Sequence, residues 1–203
     1  MLLYLPAGFG VHGAERYPLL VFLHGSAESG MDLEKLKVHG LPKILATRRD
    51  FPFVVASPQT PTPLRPLDPL TLNAMLDELL ARLPIDRDRV YLTGISMGGS
   101  MSYRWASESP GRFAAVVPVS GSWAPEDACR LKDLPIWAFH GAKDHSVPVE
   151  RDDAVIKAIN ACGGHARITI DPEGDHDDPY WSAVYGNQEL YDWLLKQRRP
   201  ASH

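Results

Sequence analysis

Cysteine is nearly missing from this 203-residue chain: Cys129 and Cys162 are the only two, too few for a disulfide framework and without metal-ligand spacing. They read as free thiols in a reducing compartment, with a single bridge between them as the alternative. No run approaches the ~18–20 apolar residues of a membrane helix, so no membrane insertion is expected. Basic blocks are absent as well. The 21 Lys and Arg against 25 Asp and Glu leave a net charge of −4, which offers nucleic acid no patch. The opening Met1-Leu2-Leu3-Tyr4-Leu5-Pro6 lacks the charged and long apolar regions of a secretory leader. It reads as a first strand, so a cytoplasmic protein is expected. Without repeats, low-complexity tracts or linkers, residues 1–203 read as one domain.

What is present is an alternation. Apolar residues make up 44% of the chain, enough for a core. Short β-branched or aromatic runs alternate with longer helical patterns, which predicts an α/β fold with a mostly parallel sheet covered by helices on both faces. Strands are expected at Leu2–Leu5, Leu19–Leu23, Phe53–Ser57, Val90–Thr93, Ala114–Val119, Ile136–His140 and Ala166–Asp171. Leu19-Leu20-Val21-Phe22-Leu23 is continuously apolar, as a strand buried on both faces should be. Helices are expected at Leu33–Thr47, Leu70–Leu83, after Ser96, at Val149–Cys162 and at Gln188–Lys196. Five prolines within Pro58–Pro69 make that stretch a loop.

Directly behind the run Arg89-Val90-Tyr91-Leu92-Thr93 stands Gly94-Ile95-Ser96-Met97-Gly98. A G-x-S-x-G sequence at a strand-to-helix turn lifts the Ser hydroxyl clear of its backbone, and small residues two positions either side relieve the crowding. The helix that starts next puts its positive end under the nucleophile. With His24-Gly25-Ser26 after an earlier strand, and an Asp and then a His after later ones, the chain resembles the α/β-hydrolase superfamily. Pro18–Gly30, Phe53–Gln59, Arg89–Gly99, Leu134–Val149 and Glu189–Leu195 resemble compact bacterial esterases. That group is related to dienelactone hydrolases, phospholipase/carboxylesterases and polyhydroxybutyrate-depolymerase-type enzymes. The resemblance implies an α/β-hydrolase fold with acyl-transfer chemistry and no cofactor or metal.

Acyl transfer needs a nucleophile, a base, an acid to orient the base, and donors for the oxyanion. Ser96 is the candidate nucleophile. Asp144, in Gly141-Ala142-Lys143-Asp144-His145-Ser146-Val147-Pro148, matches the acid loop of the superfamily, although an Asp before a helix is also favoured as plain structure. His176, after the last strand, is the candidate base. The superfamily more often places this His directly after Gly, whereas here Asp175 intervenes. Of the eight histidines, His145 is the strongest rival, yet adjacent residues on a tight turn seldom aim at each other. His24 belongs to the oxyanion loop as a structural residue, and His140 at a strand end reads as packing. His12, His39 and His165 have no supporting context, and His203 sits in the tail. Backbone N–H groups of Met97 and Ser26, with Ala27 as the alternative to Ser26, are the expected oxyanion donors. The carboxylates around His176 read as a solvated acidic turn, since they lack the spacing of a calcium loop.

Only Ser120–Leu134 separates two strands where many relatives insert a cap, so an open site with minimal or no cap is expected. Trp123, Trp181, Leu64 and Met97 are candidate walls for a small-molecule substrate. The sequence thus predicts a serine carboxylesterase acting on short-chain or aromatic acyl esters. A serine peptidase or amidase, a thioesterase and a lysophospholipase on the same fold are the alternatives that the triad does not separate. A non-catalytic small-molecule-binding relative, which would usually lose a triad residue, is the alternative from a different class.

Overall fold

The computed structural model describes residues 1–10, 13 and 15–200. Seven strands form one sheet: β1 (Leu2–Tyr4), β2 (Tyr17–Leu23), β3 (Val54–Ser57), β4 (Ile85–Ile95), β5 (Ala115–Val119), β6 (Trp137–Gly141) and β7 (Arg167–Asp171). Their order is β1-β3-β2-β4-β5-β6-β7, and every pairing is parallel except β1 with β3. The six helices are α1 (Gly40–Leu45), α2 (Pro69–Arg82), α3 (Met97–Glu108), α4 (Val149–Ala161), α5 (Asp178–Gly186) and α6 (Gln188–Lys196).

The period-2 geometry of a strand divides β2 between two cores. Leu19, Val21 and Leu23 face one side, with Leu72 and Leu76 of α2, Trp105 of α3 and Ile159 of α4. Leu20 and Phe22 face the other, with Leu41 of α1, Tyr185 of α5 and Leu194 of α6. A sheet sandwiched in this way reads as continuous apolar runs, which is why its central strands were legible.

Three features depart from the expected elements. The helix expected over Leu33–Thr47 is two pieces, a 3-10 turn at Leu33–Lys37 and then α1. The break falls at Gly40, whose φ is +63° and where a Cβ would meet the Phe22 ring at 2.8 Å. Helix α5, starting two residues after His176, was not expected; the side chain of Asp177 accepts the Tyr180 N–H at 3.1 Å and caps it. Finally, Cys129 and Cys162 are not free thiols but a disulfide, with their Cα atoms 5.3 Å apart. The 3-10 segment Pro125–Leu131 packs on α4 and brings together two residues 33 apart in the chain. The bridge removes the thiol argument for a reducing compartment. Among the described residues no helix is long and apolar enough to cross a membrane.

Between β5 and β6 the chain holds only that 3-10 segment, so no cap covers the C-terminal edge of the sheet there. The loops after β2, β4, β6 and β7 converge on this edge.

Candidate active site

Ser96 sits at the junction of β4 and α3 with φ 55° and ψ −118°, a strained region for a residue with a side chain. Its N–H bonds the Val119 carbonyl at 2.9 Å and its carbonyl accepts the Ser100 N–H at 3.0 Å, so the turn is held on both sides. The flanking glycines are required by close backbone approach. A Cβ on Gly98 would lie 2.0 Å from the Leu23 carbonyl oxygen, and one on Gly94 2.6 Å from the Gly98 carbonyl carbon.

His176 Nε2 stands 2.8 Å from Ser96 Oγ, and His176 Nδ1 stands 2.6 Å from Asp144 Oδ2. The other oxygen of Asp144 accepts the N–H groups of Ser146 at 2.9 Å and Val147 at 2.7 Å. Two loops make this meeting possible. The Lys143 N–H bonds the Gly174 carbonyl at 2.9 Å, and a Cβ on Gly141 would lie 2.3 Å from that same carbonyl oxygen. The extra residue Asp175 is accommodated because its carboxylate accepts the His176 N–H at 2.7 Å, turning the imidazole inward. The rival His145 is exposed, although Asp144 beside it is buried.

The Met97 N–H opens α3, where helix geometry leaves it without an intrahelical acceptor. Ser26 and Ala27 lie on an exposed 3-10 turn after β2, directly behind Gly25, where a Cβ would lie 3.5 Å from Ser96 Cβ. His24 anchors this loop. Its Nε2 accepts the Thr60 N–H at 2.9 Å while Nδ1 faces the Gly25 carbonyl, and burial pushes its imidazolium below the ordinary range. His24 is therefore a neutral structural group that ties the loop after β2 to the proline-rich loop.

Beside Met97 lies a narrow apolar cleft of about 20 Å³, walled by Leu23, Pro66, Leu67, Leu72, Met97 and Met101. Leu64, expected as a wall, is 89% exposed and does not line the cleft, and its loop neighbours Pro66 and Leu67 take that place. Trp181 is buried rather than facing open space. Its Nε1 donates to Ser120 Oγ at 3.1 Å, and its ring meets those of His176 and His39 edge-on at 5.1 and 5.6 Å. Trp181 thus backs the imidazole of His176. Trp123 is half-buried along a separate cleft with Ser122, Glu150 and Arg151.

Sequence reasoning missed two pairs. Glu28, buried in the Ser26–Glu28 turn, pairs with His39, and Gln59 Nε2 pins the backbone there by bonding the Glu28 and Asp32 carbonyls at 2.8 Å each. His140 is bonded to Asp152 and is no mere packing residue. No local signal marks either pair, since each joins separate elements. His12 and His203 lie outside the described residues. The acidic turn near His176 is occupied by its own structure: Asp171 and Asp177 accept backbone N–H groups, Glu173 pairs with Lys143, and Asp178 with Lys43. Among the described residues no group of three or more His, Cys, Asp or Glu is placed to hold a metal ion.

Residues 69–182, more than half of the chain, match the α/β-hydrolase family described as Phospholipase/Carboxylesterase. A solved thermostable esterase superposes with a TM-score of 0.81 at 33% identity, covering 97% of this chain and 58% of its own. NocK of Nocardia uniformis subsp. tsuyamanensis, an inferred esterase, is 31% identical over 150 residues, 67% of this chain and 42% of its own length. A bifunctional acetylxylan esterase/xylanase of Neocallimastix patriciarum is 27% identical over 186 residues, 89% of this chain and 26% of that protein. The chain therefore spans well under two thirds of each of these relatives. The family match runs from α2 into α5 and contains Ser96, Asp144 and His176, and the sheet around them is that of the solved esterase. On this ground the chain belongs to the phospholipase/carboxylesterase family of α/β hydrolases.

Proposed function

We propose that this chain is a serine carboxylic-ester hydrolase in which residues 1–203 work as one catalytic domain on small-molecule esters. The observation that carries the reading is the unbroken line from Ser96 Oγ through the His176 ring to Asp144 Oδ2, with contacts of 2.8 and 2.6 Å. Ser96 Oγ attacks the ester carbonyl carbon while its proton passes to His176 Nε2, and Asp144 holds the ring by accepting from Nδ1. The Met97 N–H and the N–H of Ser26 or Ala27 receive the oxyanion. Collapse breaks the bond to the alkoxy oxygen, which takes the proton from Nε2 and leaves as the alcohol. Water then attacks the acyl-enzyme, giving its proton to the same nitrogen, and Ser96 is regained with release of the carboxylic acid.

The cleft beside Met97 supports a short acyl group. At about 20 Å³, space for a group little larger than a water molecule, it has no room for a lipid chain. Hydrolysis of p-nitrophenyl acetate, butyrate, octanoate and laurate by wild type and Ser96→Ala tests the reading. Acetate and butyrate should be favoured, and kcat in the variant should fall by roughly 10⁴–10⁶. Equal turnover in both proteins would remove Ser96 from the role.

A further inference from the structure

Behind the Ser96–His176–Asp144 line lies a second histidine–carboxylate pair, fully buried and unused by the reaction above. His140 is on β6 and Asp152 in the first turn of α4, and neither side chain has any exposure. His140 Nδ1 stands 2.8 Å from Asp152 Oδ2, and Asp152 Oδ1 accepts the Tyr103 hydroxyl of α3 at 2.6 Å. On the other edge of the ring, Nε2 lies 2.8 Å from the Val147 carbonyl oxygen and 3.4 Å from Asp144 Oδ2. A carbonyl oxygen can only accept, so Nε2 carries a hydrogen and donates. Between Nδ1 and Asp152 Oδ2 there must then be one more proton, because two bare acceptors at 2.8 Å would repel.

Where that proton resides follows from the groups that face the ring. Burial alone would push the His140 imidazolium down, but the Asp152 hydrogen bond and charge, the Val147 carbonyl and the Asp144 charge outweigh it and lift the group above 6.5. Burial also lifts Asp152, against its bonds to His140 and Tyr103 and with the charge of Asp153 nearby. Both shifts keep the shared proton in the pair. From α5, the Tyr180 hydroxyl is buried without a partner in the field of Asp144, Asp152 and Asp171, and burial holds it far above the ordinary phenol range, so it stays neutral. Among the described residues the cations paired with Asp144 and Asp152 are all histidines.

We propose that His140 is a cationic positioning residue: held by Asp152, it directs Nε2–H between the Val147 carbonyl and the oxygen of Asp144 that receives His176. It acts through Asp144 in two ways. It fixes the Asp144–Val147 turn, so that Oδ2 stays within reach of His176. Its charge also faces His176 across Asp144 Oδ2, so its removal should favour a proton on His176. This inference rests on the Ser96 reading.

The test is kcat/KM against pH for wild type, His140→Gln, Asp152→Asn and Val155→Ala. Val155 is buried on the same helix as Asp152 and serves as the control for lost stability. In His140→Gln and Asp152→Asn the acidic limb should move up by about 0.5–1 pH unit, with kcat lowered and KM little changed. Val155→Ala should keep the wild-type limb. Unmoved limbs in both polar variants would overturn the proposal. A nitrogen-detected imidazole NMR spectrum of wild type at pH 7.5 keeps it falsifiable if those variants do not fold. His140 protonated on both nitrogens is the expected result, and a neutral ring would overturn it. The same spectrum is readable in Ser96→Ala, so a wild type without turnover would sink the Ser96 reading while the charge of His140 is still decided.

Discussion

At the scale of single residues, the site depends on backbones that touch. Ser96 occupies a conformation costing about 1–3 kcal/mol for a residue with a Cβ, and the hydrogen bonds it donates to Val119 and accepts from Ser100 hold it there. Gly141 is equally constrained, since any side chain there would strike the Gly174 carbonyl and push the loop bearing Asp144 from the loop bearing His176. Gly141→Ala should therefore lower kcat by about 100-fold through misplacement of the base. A circular dichroism spectrum like that of wild type would accompany the loss. Near-normal kcat would show that the two loops can separate without disturbing the 2.6 Å contact between His176 and Asp144.

At the scale of elements, the apolar cleft proposed for the acyl group is made where α2, α3 and the proline-rich loop meet. Met101 comes from the second turn of α3 and is 8% exposed, closing the cleft beside Met97. Met101→Ala removes three heavy atoms from that wall. The ratio of kcat/KM for p-nitrophenyl octanoate over butyrate should rise about 10-fold, a range typical of extra methylenes in an apolar pocket. An unchanged ratio would mean the acyl chain lies elsewhere. Elements also mark the limit of what sequence patterns reveal. The strands and the sharp turn at Ser96 were legible because a continuous apolar run and G-x-S-x-G carry their geometry locally. The break at Gly40 was not, since it is imposed by the Phe22 ring of a different strand. Helix α5 begins with Asp178-Pro179 after a run of acidic residues, so its start resembles a loop until Asp177 is seen capping it. Leu64 and Trp181 show the same limit within the site. Their apolar character was plain, but whether each faces a cleft, solvent or another ring depends on neighbours distant in the chain.

At the scale of the whole molecule, the disulfide and the reaction centre are at opposite ends of α4. Cys162 is its C-terminal cap, whereas the Asp144 loop and Asp152 are at its start. Thirteen helical residues put about 20 Å between them. The bridge closes a loop of 33 residues that contains β6, the acid loop and α4. Closing a loop of that length removes unfolded-chain entropy equivalent to about 3–4 kcal/mol. For a chain of this size that corresponds to roughly 10 °C in melting temperature. The double variant Cys129→Ser with Cys162→Ser should lose this stability and yet keep kcat/KM within about twofold at 25 °C, as expected for a change remote from the site. Reduction of the wild type should reproduce the lower melting temperature, while reductant should leave the double variant unchanged. Equal melting temperatures for oxidised and reduced protein would show that packing of the Pro125–Leu131 segment on α4, rather than the covalent bond, holds that end of the sheet. Because the segment so enclosed carries Asp144, His140 and Asp152, heating the reduced enzyme should release the acid loop together with α4, and activity should disappear with the fold rather than before it.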